Sequence, residues 1–172
     1  VGDGTVGAAL TDLQTDGLYF TGSLSTGQKI RRAISSRFIP SGFELGGKDP
    51  VYVCDDVDLA KVVPGIADGV FYNNGQSCCS VERIYIHETL ANEFIERFVA
   101  EVKSYKMGSP LDEQTYLGPL TRPQNRDLLE AQVTDAINKG ARILTGGKRV
   151  TGKGYYFEPT VLTNVNHSMR VM

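Results

Sequence analysis

The chain has 172 residues, of which 41% are apolar and 22% are charged, and its formal net charge is −2. These values predict a globular protein of one domain, or of one domain with part of a second, and they exclude a disordered chain. The small net charge disfavours nucleic acid and anionic membrane surfaces as partners. Neither a secretory signal nor an apolar run near the ~20 residues of a membrane span is visible.

Strand and helix patterns alternate along the chain. Helices are predicted where apolar residues recur at helical spacing, which occurs at 25–36, 56–72, 89–105 and about 121–140. Strands are predicted where β-branched and aromatic residues cluster, which occurs at 17–23, 50–54, 83–87, 141–147 and 159–165. This alternation predicts a three-layer α/β/α arrangement with a mostly parallel sheet.

Local signals refine three of the predicted helices. The last one is expected to begin with a capping box at Thr121 and Gln124 and to stop at Gly140. Pro64 lies inside another and predicts a kink or a broken first turn. An apolar stripe facing the core is predicted from residues spaced four apart, namely Leu90, Phe94, Phe98 and Val102.

The three cysteines are not expected to form disulfides, because their number is odd and the neighbours Cys78 and Cys79 cannot easily bridge each other. We therefore expect a reducing compartment, the cytoplasm or the mitochondrial matrix. The sequence has no CxxC or HExxH motif, and His87 and His167 lie far apart in it. No metal site is predicted.

Two glycine-rich segments are candidates for binding a phosphate. Residues 2–7, GDGTVG, match G-x-G-x-x-G, but the strand that should precede this fingerprint is not visible, so a simple glycine-rich turn stays open. In FTGSLSTG, at 20–27, Gly22 allows close approach of a ligand, and Ser23 with the following helix N-terminus is suited to a phosphate. A capped strand-to-helix turn is the alternative.

Glu44 and Cys78 are candidates for acid–base and nucleophilic chemistry. Glu44 stands between two apolar residues in FELGGKDP, where desolvation is expected to raise its pKa toward that of a general base; an exposed acid paired with Lys48 is the alternative. In NNGQSCCS, backbone N–H groups of the loop are expected to favour a Cys78 thiolate; a small buried core residue is the alternative. A histidine base is missing, which disfavours a papain-type hydrolase.

The order FTGS, ELGGK and GQSC, with Glu44 and Cys78 at the expected separation, closely resembles the aldehyde dehydrogenase superfamily. Later segments are similar to that family too: LGPL at 117–120, GARILTGGK at 140–148 and YYFEPTVLTNV at 155–165. The resemblance implies that Cys78 is the nucleophile and Glu44 the general base. It implies oxidation of a small-molecule aldehyde to the acid through a thiohemiacetal and a thioester, and it gives Cys79 no role.

The same resemblance implies an NAD or NADP site in the first part of the chain. Gly22 and Ser23 match the turn that meets the cofactor's pyrophosphate. Gly4 and Gly7 are expected to line the same site, and Leu45 is expected to offer its backbone near the nicotinamide. Which of the two cofactors is used is left open.

Two domains follow from the resemblance. Residues 1–47 are expected to be the C-terminal part of a Rossmann-like cofactor domain, and residues 48–172 a catalytic domain truncated at its C-terminus. The chain begins with Val rather than Met, which favours a central fragment of a longer enzyme that is inactive in isolation. The parent protein is expected to be a homodimer or a homotetramer.

Three other functions stay open at this point. A CoA-acylating aldehyde dehydrogenase would pass the acyl group to CoA, although Glu44 argues against this because that transfer needs no water-activating base. A non-catalytic nucleotide-binding relative would have kept the fold of the family without its enzymatic activity. An NAD-independent thiol esterase would use Cys78 and Glu44 without any cofactor.

Overall fold

A computed structural model describes residues 2–172, which form two compact units divided between Gly47 and Lys48. Helices alternate with strands, and the strands pair two by two into three small sheets, of which two are parallel and one is antiparallel. The predicted α/β class is confirmed. The roles expected for 1–47 and 48–172, cofactor domain and catalytic domain, stay predictions.

The first unit contains two helices and one parallel pair of strands. Its elements are α1 (Gly4–Thr11), β1 (Leu18–Gly22), α2 (Leu24–Ala33) and β2 (Ser41–Leu45). Strands β1 and β2 run parallel in a register that pairs Leu18 with Ser41 and Gly22 with Leu45. Strand β1 and helix α2 confirm the sequence prediction, whereas α1 and β2 were not predicted.

The second unit holds the larger core. Its elements are β3 (Asp49–Val53), α3 (Leu59–Phe71), β4 (Val81–Ile86), α4 (Ala91–Ser104), α5 (Pro123–Asn138), β5 (Arg142–Thr145) and β6 (Val161–Thr163). Strand β3 pairs with β4 in parallel and β5 with β6 in antiparallel. None of the helices formed by residues 2–172 combines the length and apolar character needed to cross a bilayer.

Helices α3 and α4 build this core from residues spaced four apart, because such residues share one face of a helix. The buried stripe of α4 is Phe94, Phe98 and Val102, with half-buried Leu90 packed against the cluster, so the predicted stripe is confirmed. The rings of Phe94 and Phe98 stack with centroids 5.4 Å apart. The facing stripe of α3 consists of Leu59, Val63, Ala67 and Phe71.

The helix ends differ in part from the sequence prediction. Helix α5 does end before Gly140, whose φ of 99° supplies the predicted stop. The capping box is wrong, because the helix begins at Pro123 with Arg122 as its N-cap residue and without a side-chain cap. Helix α3 begins at Leu59, with Asp58 as its N-cap residue, and the Asp58 carboxylate accepts the N–H of Ala60. The helix continues through Pro64.

Candidate active site

The loop that carries Cys78 begins with a backbone conformation that few residues adopt. After α3, the turn Tyr72–Gly75 contains three successive left-handed residues: Asn73 (φ 51°), Asn74 (φ 57°) and Gly75 (φ 70°). Asparagine and glycine visit this region with little strain, so the Asn-Asn-Gly sequence fits the turn that it forms. This left-handed turn lies directly before Gln76 and the two cysteines.

Side-chain amides fix this loop to a distant segment of the same unit. The Asn74 amide donates to the carbonyl oxygens of Gly118 (2.9 Å) and Pro119 (3.1 Å). The Gln76 Oε1 atom accepts both the N–H and the hydroxyl of Thr121, each at 2.9 Å. Because these bonds join residues more than forty positions apart in sequence, the loop is held by the distant segment 118–121.

Cys78 and Cys79 are the two central residues of a β-turn. The N–H of Ser80 donates to the carbonyl oxygen of Ser77 at 3.2 Å and closes the turn. Both cysteines are free and exposed, whereas Ser80 is buried directly before β4. Cys78 is therefore not a core residue, which removes the alternative considered from the sequence. Its thiol is accessible on a turn with anchored ends.

Gly75→Ala is expected to lower the free energy of unfolding by about 1–2 kcal/mol, the cost of a left-handed residue with a Cβ. A Cβ there would also lie 3.1 Å from the carbonyl oxygen of Val70. Urea denaturation measures the change. The matched control is Gly65→Ala, because Gly65 lies inside α3 with nothing within 4 Å of the added Cβ. That variant should be neutral or more stable; equal losses in both variants would contradict this reading.

Gln76→Ala is expected to lower the free energy of unfolding by about 0.5–1.5 kcal/mol, because it removes the acceptor of two exposed Thr121 donors, which water can then satisfy. Thermal and urea unfolding measure this. Gln114→Ala is the control, because that residue is exposed and its hydrogen bond to Asp112 uses the backbone N–H. In addition, protease cleavage within 72–80 should become faster only in the Gln76 variant. Unchanged stability and cleavage would show that this amide does not hold the loop.

In the first unit, four of the predicted site residues meet at one edge of the parallel pair. Strand β1 ends at Gly22 and β2 at Leu45, and the register places Gly22 beside Leu45 and Thr21 beside Glu44. Ser23 follows at once as the N-cap of α2, where its hydroxyl accepts the N–H of Thr26 at 3.3 Å. The carboxyl ends of parallel strands are the edge at which open α/β sheets bind ligands.

The environment of Glu44 differs from the one expected. Phe43 and Leu45 approach helix α2, where a Cβ added to buried Gly27 would lie 3.0 Å from Leu45 and 3.5 Å from Phe43. Side chains alternate across a strand, so Glu44 points to the opposite face and is exposed. The expectation that its two apolar neighbours bury this carboxylate is wrong.

The other pair of predicted cofactor residues, Gly4 and Gly7, lies in helix α1. A Cβ added to either glycine would meet nothing within 4 Å, so close packing does not explain them. Asp3 caps this helix, and the N–H groups of Val6 and Thr5 hold the pKa of its carboxyl below the ordinary value. A carboxylate therefore occupies the end of α1, whereas α2 has a neutral serine cap and no acidic residue in its first turn.

The predicted residues are thus divided between the units. Gly22, Ser23, Glu44 and Leu45 share one strand edge of the first unit, and Cys78 lies on the turn of the second. Asn74 and Thr121, which help to hold the Cys78 loop, were not recognised as site residues from the sequence. Within residues 2–172, no three or more His, Cys, Asp or Glu side chains come close enough together to hold a metal ion.

Comparison with known proteins identifies the family of this chain. Residues 1–172 match the aldehyde dehydrogenase family, and the chain belongs to it. A 3,6-anhydro-alpha-L-galactose dehydrogenase of Vibrio sp. (strain EJY3) is 38% identical over 99% of this chain and 37% of its own length. The resemblance read from FTGS, ELGGK and GQSC is therefore confirmed.

Solved structures agree with this assignment. An aldehyde dehydrogenase from Bacillus cereus in its NAD+ complex matches with a TM-score of 0.95 and 31% identity, covering 99% of this chain and 35% of its own. A 3,6-anhydro-L-galactose dehydrogenase in complex with NAP matches with a TM-score of 0.94 and 36% identity, covering 99% and 37%. The chain thus spans about a third of the length of the relatives that it matches.

Proposed function

We propose that the protein oxidises an aldehyde to the carboxylic acid with NAD+ or NADP+, and that Cys78 is its nucleophile. The observation that carries this proposal is the turn Ser77–Ser80, which presents an exposed thiol on a loop fixed by Gln76 and Asn74. Membership of the aldehyde dehydrogenase family supports the choice of reaction.

In the proposed reaction, the Cys78 thiolate attacks the carbonyl carbon of the aldehyde and forms a thiohemiacetal. The backbone N–H of Cys78 stabilises the oxyanion that develops on the former carbonyl oxygen. Held at Gly22, Ser23 and Leu45, the nicotinamide cofactor would supply the hydride acceptor that oxidation of the thiohemiacetal to a thioester requires. Glu44 takes a proton from water, and the water cleaves the thioester to release the acid and free Cys78.

The residues of the first unit fit one phosphate-bearing cofactor. Gly22 and Ser23 lie where β1 passes into α2, and the neutral Ser23 cap leaves the positive end of the α2 dipole without a competing carboxylate. Leu45 offers backbone groups at the same edge. Among the relatives, one structure contains NAD+ and another NAP, which supports a nicotinamide dinucleotide of either kind here. Gly4 and Gly7 receive weaker support, because Asp3 occupies the end of their helix.

The remaining parts of the proposal concern substrate and assembly. The substrate is a small aldehyde, the protein works in a reducing compartment such as the cytoplasm or mitochondrial matrix, and it assembles as a homodimer or homotetramer. Free Cys54, Cys78 and Cys79 agree with a reducing environment.

Selective alkylation tests the nucleophile. Iodoacetamide is added across a pH series, and peptide mass mapping follows Cys54, Cys78 and Cys79 separately. Because all three are exposed, accessibility alone predicts similar rates. We expect Cys78 to react at least about 10-fold faster than Cys54 near neutral pH, where an ordinary thiol with a pKa of about 8.5 is mostly protonated. Equal rates at all three would contradict its role as nucleophile.

Cofactor dependence separates the alternatives. Aldehyde turnover that requires NAD+ or NADP+ supports the dehydrogenase, whereas ester turnover alone, without either cofactor, supports a thiol esterase. Acyl transfer to CoA in preference to water would indicate the acylating variant. Cofactor binding without any turnover would indicate a non-catalytic relative.

A further inference from the structure

The sequence leaves Cys79 without a role, although it stands beside Cys78 on the same exposed turn. We propose that Cys78 and Cys79 together form a dithiol site that chelates a monosubstituted trivalent arsenical. The binding itself depends only on the two thiols. Its effect on activity rests on the proposed function of Cys78.

The turn favours the binding of one large atom between the two sulfurs over a direct disulfide bond. Cα atoms of adjacent residues are about 3.8 Å apart across a trans peptide, which is shorter than the roughly 4.4–6.8 Å of ordinary disulfides. A large atom between the two sulfurs widens the ring and relaxes this restraint. Half-buried Ser77 and buried Ser80 hold the two ends of the turn, while both thiols between them are exposed.

The site offers two thiol ligands, and this number and kind of ligand determine which metal or metalloid atom it can bind. Thiolates are soft ligands, and a structural zinc site needs four ligands in tetrahedral geometry. Within the part of the chain that the structure describes, no third His, Cys, Asp or Glu completes such a set around the cysteines. A monosubstituted trivalent arsenic atom needs only two sulfurs, because its third bond goes to carbon.

The exchange is balanced without an oxidant or a reductant. In water the arsenical carries two hydroxyl groups on arsenic. Two As–O bonds and two S–H bonds break, two As–S bonds form, and the two hydroxyl groups leave with the two protons as water. Arsenic stays trivalent and both sulfurs keep their oxidation state.

The second thiol should make binding much tighter than one thiol can. Once Cys78 is bound, Cys79 is held nearby by the turn, so the second As–S bond forms intramolecularly at a high effective concentration. Linkage of this kind strengthens binding by about 10²–10⁴-fold without any new type of contact. Occupancy would cover the Cys78 sulfur and block the attack on an aldehyde that we propose for it.

Phenylarsine oxide is the probe. The reduced chain is incubated with it, excess 2-mercaptoethanol is added as a competing monothiol, and the intact mass and mapped peptides are recorded. We expect one adduct that spans Cys78 and Cys79, resists the monothiol and is removed by dithiothreitol. In Cys79→Ser the retained adduct should fall by at least about 10²-fold. Cys54→Ser, which removes an isolated exposed cysteine, should bind like the original chain.

Three results would overturn the proposal. One is an adduct of equal strength in Cys79→Ser or Cys79→Ala, which would show that a single thiol suffices. Another is an adduct located at Cys54. The last is recovery of a Cys78–Cys79 disulfide in place of the adduct. None of these readouts uses aldehyde turnover, so a failure of the proposed dehydrogenase function would be seen separately in the cofactor assays.

Discussion

Cys78→Ser is expected to abolish aldehyde-dependent reduction of NAD+ or NADP+, with kcat falling on the order of 10³–10⁶-fold, the range seen when a covalent nucleophile is removed. A serine hydroxyl is almost fully protonated near neutral pH, and no histidine base is among the residues proposed for this site. The thiolate attack that starts the proposed reaction is therefore lost. Initial rates with saturating aldehyde and cofactor, on the protein at its natural length, give the measurement.

Cys54→Ser is the matched control for this loss. Cys54 is also free and exposed, but it follows β3 and has no part in the proposed chemistry. Its variant should keep kcat within about threefold, as expected of a surface substitution. The unfolding midpoints of both variants should stay close to that of the original protein, since both cysteines are exposed. If Cys79→Ser loses turnover and Cys78→Ser keeps it, the nucleophile assignment is wrong by one residue.

Elements with dense apolar patterns were predictable from the sequence, and elements held by single polar contacts were not. The i+4 stripe of α4 marked both the helix and its buried face, because periodicity of this kind reports burial directly. Helix α1 carries two glycines and was not predicted, since its start depends on the Asp3 cap. Its end is held by Arg37, whose guanidinium donates to the Thr11 carbonyl oxygen at 2.8 Å.

In the candidate site, too, the feature carried by a local motif was predictable, and the feature that depends on residues far apart in sequence was not. The motif GQSC marked the loop, but its anchoring to Thr121 joins residues far apart in sequence, so no local pattern could reveal it. The same threonine was assigned to a capping box that does not form, because the helix begins at Pro123 with Arg122 as its N-cap residue. Its N–H and hydroxyl donate to Gln76. Glu44 is the opposite case. Strand alternation through Phe43 and Leu45 already implied its exposure, yet β2 was not recognised as a strand.

Glu44→Gln is expected to separate the two halves of the proposed reaction. Steady-state turnover should fall by about 10²–10⁴-fold, because an amide cannot take the proton from the attacking water. Hydride transfer precedes that step and does not use the carboxylate, so a single burst of reduced cofactor should remain. Rapid-mixing absorbance measures the burst, and intact mass spectrometry detects the acyl group accumulating on Cys78.

Rescue distinguishes loss of a base from loss of structure. Hydroxylamine attacks a thioester without help from a base, so it should restore much of the turnover in Glu44→Gln but none in Cys78→Ser. Glu96→Gln, at an exposed position of α4, should match the original protein with and without hydroxylamine. Loss of the burst itself in Glu44→Gln would mean that this carboxylate acts at or before oxidation. Because Glu44 is exposed, a normal steady-state rate would instead identify it as an ordinary surface acid.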